Sequence, residues 1–223
     1  MKQTELTIPS SQSEITLEQY MKLQEVTKGT DDENEINIAM VSILCNIPKQ
    51  YVLGLNKNDY EDIVSELINT INQKSIWHQR FKIGKQEYGF LPNIDDMTLG
   101  EYVDLDTYMK DENMYGAMTI LYRPIIKESF GRYLIEEYTG DEDTEIMKQC
   151  PLDAYHGALV FFWNLGNELL KAIPQYLEQQ AAKDIQFKKT LEQNGDGIKV
   201  SMQSLKENLE NSMKQHPIIS TKL

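Results

Sequence analysis

Cysteine and arginine are scarce in this chain, and each scarcity narrows what it can do. The two cysteines, Cys45 and Cys150, stand far apart, form no Cys-x-x-Cys pair and offer no disulfide framework. A reduced, intracellular site of synthesis is the simplest expectation. Arginine and lysine together number 22 against 35 acidic residues, a formal net charge of −13. Without a basic stripe to displace counterions, direct nucleic-acid binding is not expected. The acidity reads first as solubility and leaves room for a basic partner. Long apolar runs are missing too. The longest, Ala158 to Trp163, is interrupted by Asn164 and is far too short to span a bilayer. Met1 to Pro9 holds no apolar h-region, so no secretory signal is expected.

The signatures of catalysis are absent as well. There is no Gly-x-x-x-x-Gly-Lys-Ser/Thr run, no Gly-x-Gly-x-x-Gly after a strand and no Gly-x-Ser-x-Gly elbow. His78, His156 and His216 have no metal-ligand spacing, so no metal site is expected. Asp153 precedes His156 by three residues, a spacing that permits a helical contact, and a structural histidine is the expected outcome. The acids at Asp95-Asp96, Asp104/Asp106 and Asp141-Glu142-Asp143 lack the ligand order of an EF-hand. Asp95-Asp96 lies just before a helix start, where negative charge favours the macrodipole. No nucleophile, base or metal cluster assembles, so the expectation is a non-enzymatic protein with no cofactor. An enzyme using the acidic loops with a divalent ion is the contrary reading.

What the chain does have is helix punctuation. Ile15-Thr16-Leu17-Glu18-Gln19-Tyr20 and Met97-Thr98-Leu99-Gly100-Glu101-Tyr102 are the same start written twice. Thr16 and Thr98 are N-caps with Gln19 and Glu101 at N3, a capping box, and Ile15/Tyr20 and Met97/Tyr102 have staple spacing. The first box predicts a helix from Thr16 to about Thr27, preceded by a short strand at Thr4–Ile8 and a turn at Ser10–Ser13. A second helix is expected from about Asn34 to Cys45, closed by Pro48. A third, capped by Asn58 or Asp59, runs to about Asn72 with a stripe of Tyr60, Ile63, Val64, Leu67, Ile68 and Ile71. Trp77–Ile83 and Gln86–Leu91 flank Gly84-Lys85 as a β-hairpin. After the second box, Ile125–Ile135 reads as another hairpin turning near Ser129–Arg132, followed by a short helix at about Thr144–Gln149.

Other landmarks recur in order: Asp32-Glu33-Asn34 as Asp111-Glu112-Asn113, Ala39-Met40 as Ala117-Met118, Ser42-Ile43-Leu44 as Thr119-Ile120-Leu121. The offset shrinks along the chain, as loop deletions in a duplicated helix pair would leave it. The copies differ in their outward positions, Gly100 for Glu18 and Asp104 for Lys22, which makes those faces the first place to look for an asymmetric contact.

A central apolar helix is expected from Leu152 to about Ala172, ended or kinked at Pro174, with Leu159, Phe161, Phe162, Trp163, Leu165, Leu169 and Leu170 around most of its circumference. Gly157 and Gly166 in such a helix imply close approach of a neighbouring element. The fold class is therefore mainly α, an α+β chain with short hairpins: two related helix-pair modules around the apolar helix. They form a body over 1–182, divided at about 8–91 and 92–182, with a polar helical appendage over 183–223. On that appendage Ile198, Met202, Leu205, Leu209 and Met213 make a narrow apolar seam suited to a partner. Arg123, behind an apolar helix, is the remaining interface candidate.

Taken together, Ile8-Pro9-Ser10-Ser11 with the first box, Gly89-Phe90-Leu91-Pro92 with the second, Leu121-Tyr122-Arg123-Pro124, and Gly157 through Leu169 resemble a family of structural and assembly proteins of tailed phages of Bacteroides-type hosts, crAss-like phages included. The resemblance covers about residues 8–180, and its motifs are structural, so no catalytic residue carries over. It implies a virion-associated protein, built into the portal–tail apparatus or packaged as cargo. The alternative is a tail-assembly chaperone left out of the particle. Implied partners are other phage structural or tail proteins or further copies of the chain. The implied location is the virion, after synthesis in the host cytoplasm.

Overall fold

The computed structural model describes residues 6–92 and 97–183, with the isolated positions 203, 206 and 207. The fold is α+β. Helix α1 (Leu17–Gly29) starts at Thr16, whose hydroxyl accepts from the Gln19 N–H at 3.2 Å while Gln19 Oε1 accepts from the Thr16 N–H at 2.9 Å. Of the strand expected at Thr4–Ile8, residues 6–8 are irregular, and Thr4 and Glu5 lie outside the described residues. A 3-10 turn, Gln12–Glu14, fills the predicted turn. Helix α2 (Glu33–Leu44) is capped by Asp32, whose carboxylate accepts from Asn34 and Glu35. One further turn, α3 (Lys49–Val52), follows Pro48 and was not anticipated. Helix α4 (Lys57–Ile71) takes its cap from Asn56, not from Asn58 or Asp59, because the Asn56 Oδ1 reaches the Asp59 N–H at 3.0 Å.

Both hairpins exist, and they belong to one antiparallel sheet in the order β1-β2-β3-β4. Strands β1 (Arg80–Ile83) and β2 (Gln86–Phe90) turn at Gly84, with φ at 57°. Strand β3 (Tyr122–Ser129) pairs with β2 through Phe90↔Tyr122, Gly89↔Arg123 and Tyr88↔Pro124. Strand β4 (Arg132–Ile135) pairs with β3 across a bulge at Ile126. The Tyr133 ring lies over Gly89, where a Cβ would sit 2.4 Å from it, and its hydroxyl donates to the Phe90 carbonyl at 2.6 Å.

Helix α5 (Leu99–Lys110) carries the second complete box, Thr98 with Glu101. Helix α6 (Met114–Leu121) is capped by Asn113 and runs directly into β3. Helices α1 and α2 pack together, as do α5 and α6. The two starts meet different surroundings, however. Tyr20 is 3% exposed within the core, whereas Tyr102 is 60% exposed, so only the first staple tyrosine is buried. The 144–149 segment forms a 3-10 helix that packs against α1 and α6.

Helix α7 spans Leu152–Lys183 with Pro174 inside it, and so extends beyond the expected end. The chain divides into two compact units, Met1–Gly157 and Ala158–Leu223, with the boundary inside this helix. Its buried stretch is Leu152 to Ala158, while Leu159, Val160, Phe161 and Phe162 are only half-buried. Of the apolar run expected at the centre of the core, Leu159, Phe161 and Phe162 are thus half-buried, and the side chains of Trp163, Leu165, Leu169 and Leu170 lie outside the described ones. That centre lies with Ile15, Leu17, Val41, Leu67, Met118, Tyr122, Met147, Leu152 and Tyr155. The Leu17 N–H donates to the Cys150 carbonyl at 2.8 Å and the Leu152 N–H to the Ile15 carbonyl at 2.9 Å, joining the start of α1 to the start of α7.

Gln12 organises a polar point within this core. Its amide nitrogen donates to the Ile71 and Gln73 carbonyls at 2.7 and 2.8 Å, and its oxygen accepts from Ser75 at 2.5 Å. The same oxygen stands 3.2 Å from His156 Nδ1, which therefore carries the hydrogen. His156 is thus a structural histidine. Asp153 pairs with His78 instead, at 3.5 Å.

Both cysteines are free and buried. Burial, and after it the negative charge of Glu66, pushes the Cys45 thiol up from 9.0 to about 11, and burial with Asp153 raises Cys150. Ellman's reagent at about pH 8 is expected to leave both thiols unmodified in the folded protein and to titrate both after denaturation in urea. Because the Cys45 pKa is raised on folding, its contribution to stability is intact below about pH 9 and is lost as pH rises toward 11. A melting temperature that falls across that interval, and falls less in Cys45→Ala, checks the sign.

Candidate functional site

Arg123 is the sequence-predicted residue that the structure places in a developed environment. It stands second in β3, two residues after the last residue of α6, so the strand fixes its backbone opposite Gly89. Its Nη2 meets Glu101 Oε1 at 2.7 Å, with the two side chains 6% and 4% exposed. The other Glu101 oxygen accepts the Thr98 N–H at 2.6 Å. One carboxylate therefore closes the capping box and neutralises a buried guanidinium. The Arg123 guanidinium also lies 5.9 Å from the centre of the Tyr138 ring. Tyr138 donates to Asp104, and burial first, then that hydrogen bond and charge, hold its hydroxyl above the usual tyrosine range.

Helix α1 uses its N3 residue in the same two-ended way. Gln19 closes its box with its oxygen and donates its amide nitrogen to the Ile43 and Leu44 carbonyls at 3.0 and 3.3 Å, the end of α2. The difference between glutamine and glutamate follows from what each must bind. Carbonyls need a donor; a guanidinium needs an acceptor. The capping-box spacing in the sequence accounts for one end of each side chain and carries no sign of the second.

Beside Arg123 a cleft of about 360 Å³ opens under the 136–143 loop. Tyr88, Thr119, Tyr122, Arg123 and Met147, all buried, belong to its wall. Glu136, Glu137, Asp141, Glu142 and Asp143 also line it. Glu142 is partly engaged, accepting from the Thr139 N–H at 2.7 Å, and Asp143 caps the 3-10 helix through the Glu145 N–H at 3.0 Å. The carboxylates of Glu136, Glu137 and Asp141 have no hydrogen-bond or ion-pair partner among the described residues. Burial, and next Asp143 and Glu136, raise the Tyr88 hydroxyl above its usual range, so it faces the cleft as a neutral group. Of these carboxylates only Asp141-Glu142-Asp143 stand out in the sequence, and as a loop rather than as one side of a cleft.

The other interface candidates, Ile198, Met202, Leu205, Leu209 and Met213, lie outside the described residues. The Gly100/Asp104 face of α5 is not simply open, because Tyr138 lies 3.8 Å from the Cβ position of Gly100 and hydrogen-bonds Asp104. A different set on α5 is exposed: Leu99, Tyr102, Val103 and Met109. Phe130 protrudes fully from the β3–β4 turn, flanked by exposed Ile126 and Leu134. Among the described residues no helix is long and apolar enough to cross a membrane. Comparison with protein-family models, with curated protein sequences and with solved structures finds no match to this chain.

Proposed function

We propose that the chain is a non-enzymatic, virion-associated protein of a tailed phage, built into the portal–tail apparatus or packaged as cargo. The observation that carries this reading is a set of exposed apolar side chains on α5, Leu99, Tyr102, Val103 and Met109, exposed by 78, 60, 49 and 39% around the Asp106–Lys110 ion pair. Large apolar side chains recurring at helical spacing on an exposed helix mark a protein–protein contact, and a protein assembled in many copies needs such contacts. The resemblance of the sequence landmarks to those of phage structural proteins points the same way and supplies the setting.

The scaffold is read as a duplicated helix pair. In each half a capping-box helix is followed by a helix capped by Asp32 or Asn113, and the N3 side chain reaches the far end of that second helix or the second residue beyond it. Duplication followed by divergence at Gln19/Glu101 leaves one half committed to its own carbonyls and the other to Arg123.

Quantitative mass spectrometry of purified particles tests the function. Recovery at a fixed copy number per particle is the expected result. Absence from mature particles, with recovery alongside tail proteins from infected cells, overturns it in favour of a tail-assembly chaperone.

A further inference from the structure

Strand β4 ends the sheet, and among the described residues no strand lies on its outer side. In an antiparallel ladder alternate residues turn their N–H and C=O toward the partner strand, and those between turn theirs away. The two-residue turn Phe130-Gly131, with φ at 51° and 73°, closes the β3–β4 ladder on the bonded pair Ser129↔Arg132. Arg132 and Leu134 therefore bond toward β3. So does Glu136, whose N–H donates to the Pro124 carbonyl at 2.9 Å. Tyr133 and Ile135 turn their backbone groups outward, where no hydrogen-bond partner meets them among the described residues. An open edge of this kind is a template for another strand.

The side chains decide which strand fits. Residues 132, 134 and 136 share one face of β4, and all three are exposed, Leu134 by 56%. The Arg132 and Glu136 side chains have no ion-pair partner among the described residues. A second β4 laid antiparallel about a twofold axis at Leu134 places that leucine against its own copy. Arg132 of each strand then faces Glu136 of the other, and Tyr133 faces Ile135. Outward backbone groups meet outward groups, which makes the hydrogen-bonded pair of an antiparallel ladder. Opposite charges directly across strands are favourable, and like charges are not. The other edge of the sheet fails this test. In β1 the equivalent axis at Phe81 sets Arg80 against Lys82, cation on cation.

We propose that two copies of this chain associate through β4, joining their four-stranded sheets into one across a twofold axis. This goes beyond the virion reading and stands without it, since the contact uses β4 and not α5. Sedimentation equilibrium of the full chain at about 0.15 M salt, which screens the repulsion between two acidic chains, is expected to give a dimer. Arg132→Glu sets carboxylate against carboxylate, and Glu136→Arg sets cation against cation. Each is expected to weaken the dimer about tenfold or more. The double variant Arg132→Glu/Glu136→Arg restores opposite charges in reversed order and is expected to return the dissociation constant to within about threefold of the parent's. Unchanged circular dichroism in the three variants shows that folding was not what was altered. Amide hydrogen exchange gives a second readout, independent of substitution. Exchange at Tyr133 and Ile135 is expected to slow as protein concentration rises, while Arg80 and Lys82, outward on the opposite edge, keep their rates. A parent that stays monomeric, a dimer indifferent to both single variants, or a double variant no better than the singles overturns the proposal. So does exchange at Tyr133 and Ile135 that ignores concentration.

Discussion

Replacing Glu101 by glutamine is expected to destabilise the folded protein by about 3–5 kcal/mol, the range for removing one partner of a buried ion pair. The substitution is nearly isosteric, and it spares the helix start. Gln19 occupies the same N3 position in α1 and closes the same box with its oxygen, so a glutamine at 101 can still accept from the Thr98 N–H. What it cannot do is neutralise Arg123, whose Nη2 would then face an amide or its hydrogens at a site with a 6% exposed side chain. Urea denaturation with an unchanged m-value measures the loss. Adding Arg123→Met to the same chain is expected to recover most of it, since removing both partners leaves no uncompensated charge. A loss below about 1 kcal/mol for the single variant would place the pair among solvated ones and contradict the burial argument.

That pair also marks where the sequence stops being legible. Helix starts were readable because their chemistry is local: a threonine, a spacing of three and a returning side chain leave the same trace wherever they occur. Even there the choice among Asn56, Asn58 and Asp59 depended on which oxygen reached one N–H, a matter of backbone course. The single turn Lys49–Val52 is too short for any periodicity to register. Each hairpin was visible in its own strands. Their union into one sheet was not, because it rests on Tyr88, Gly89 and Phe90 meeting Tyr122, Arg123 and Pro124 across a gap filled by two helices. The site suffered the same blindness. Arg123 stood out by rarity, yet its partner had already been assigned to a cap, and a carboxylate has two oxygens. The cleft needs residues from β2, α6, β3 and the 136–143 loop at once, and no local pattern announces such a gathering.

The second large effect is expected at Gly157. A glycine inside an apolar helix pattern implied that something comes close, and the structure identifies it: a Cβ here would lie 2.4 Å from the Ile76 carbonyl oxygen and 2.9 Å from the Trp77 Cα. Both are backbone atoms, which cannot swing aside as a side-chain end can. The segment they belong to is also held in place, since the Tyr122 hydroxyl donates to the His78 carbonyl at 2.6 Å and Asp153 meets the His78 ring at 3.5 Å. Two tendencies therefore oppose each other in Gly157→Ala. Helix propensity favours alanine by about 1 kcal/mol. Overpacking against immobile neighbours costs about 1–3 kcal/mol and occasionally more. With contacts this short the second prevails, and a net loss of about 2 kcal/mol is expected in urea denaturation. Gly29→Ala supplies the contrast. That glycine ends α1 with nothing within 4 Å of its Cβ position, so the propensity gain stands alone and the variant is expected to gain about 0.5 kcal/mol. Opposite signs for one chemical change would isolate the close approach of α7 to the 76–77 segment as the cause. A Gly157→Ala chain as stable as its parent would instead require that segment to yield, and the interleaved contacts of Tyr122, His78 and Asp153 would then have to be weaker than their geometry implies.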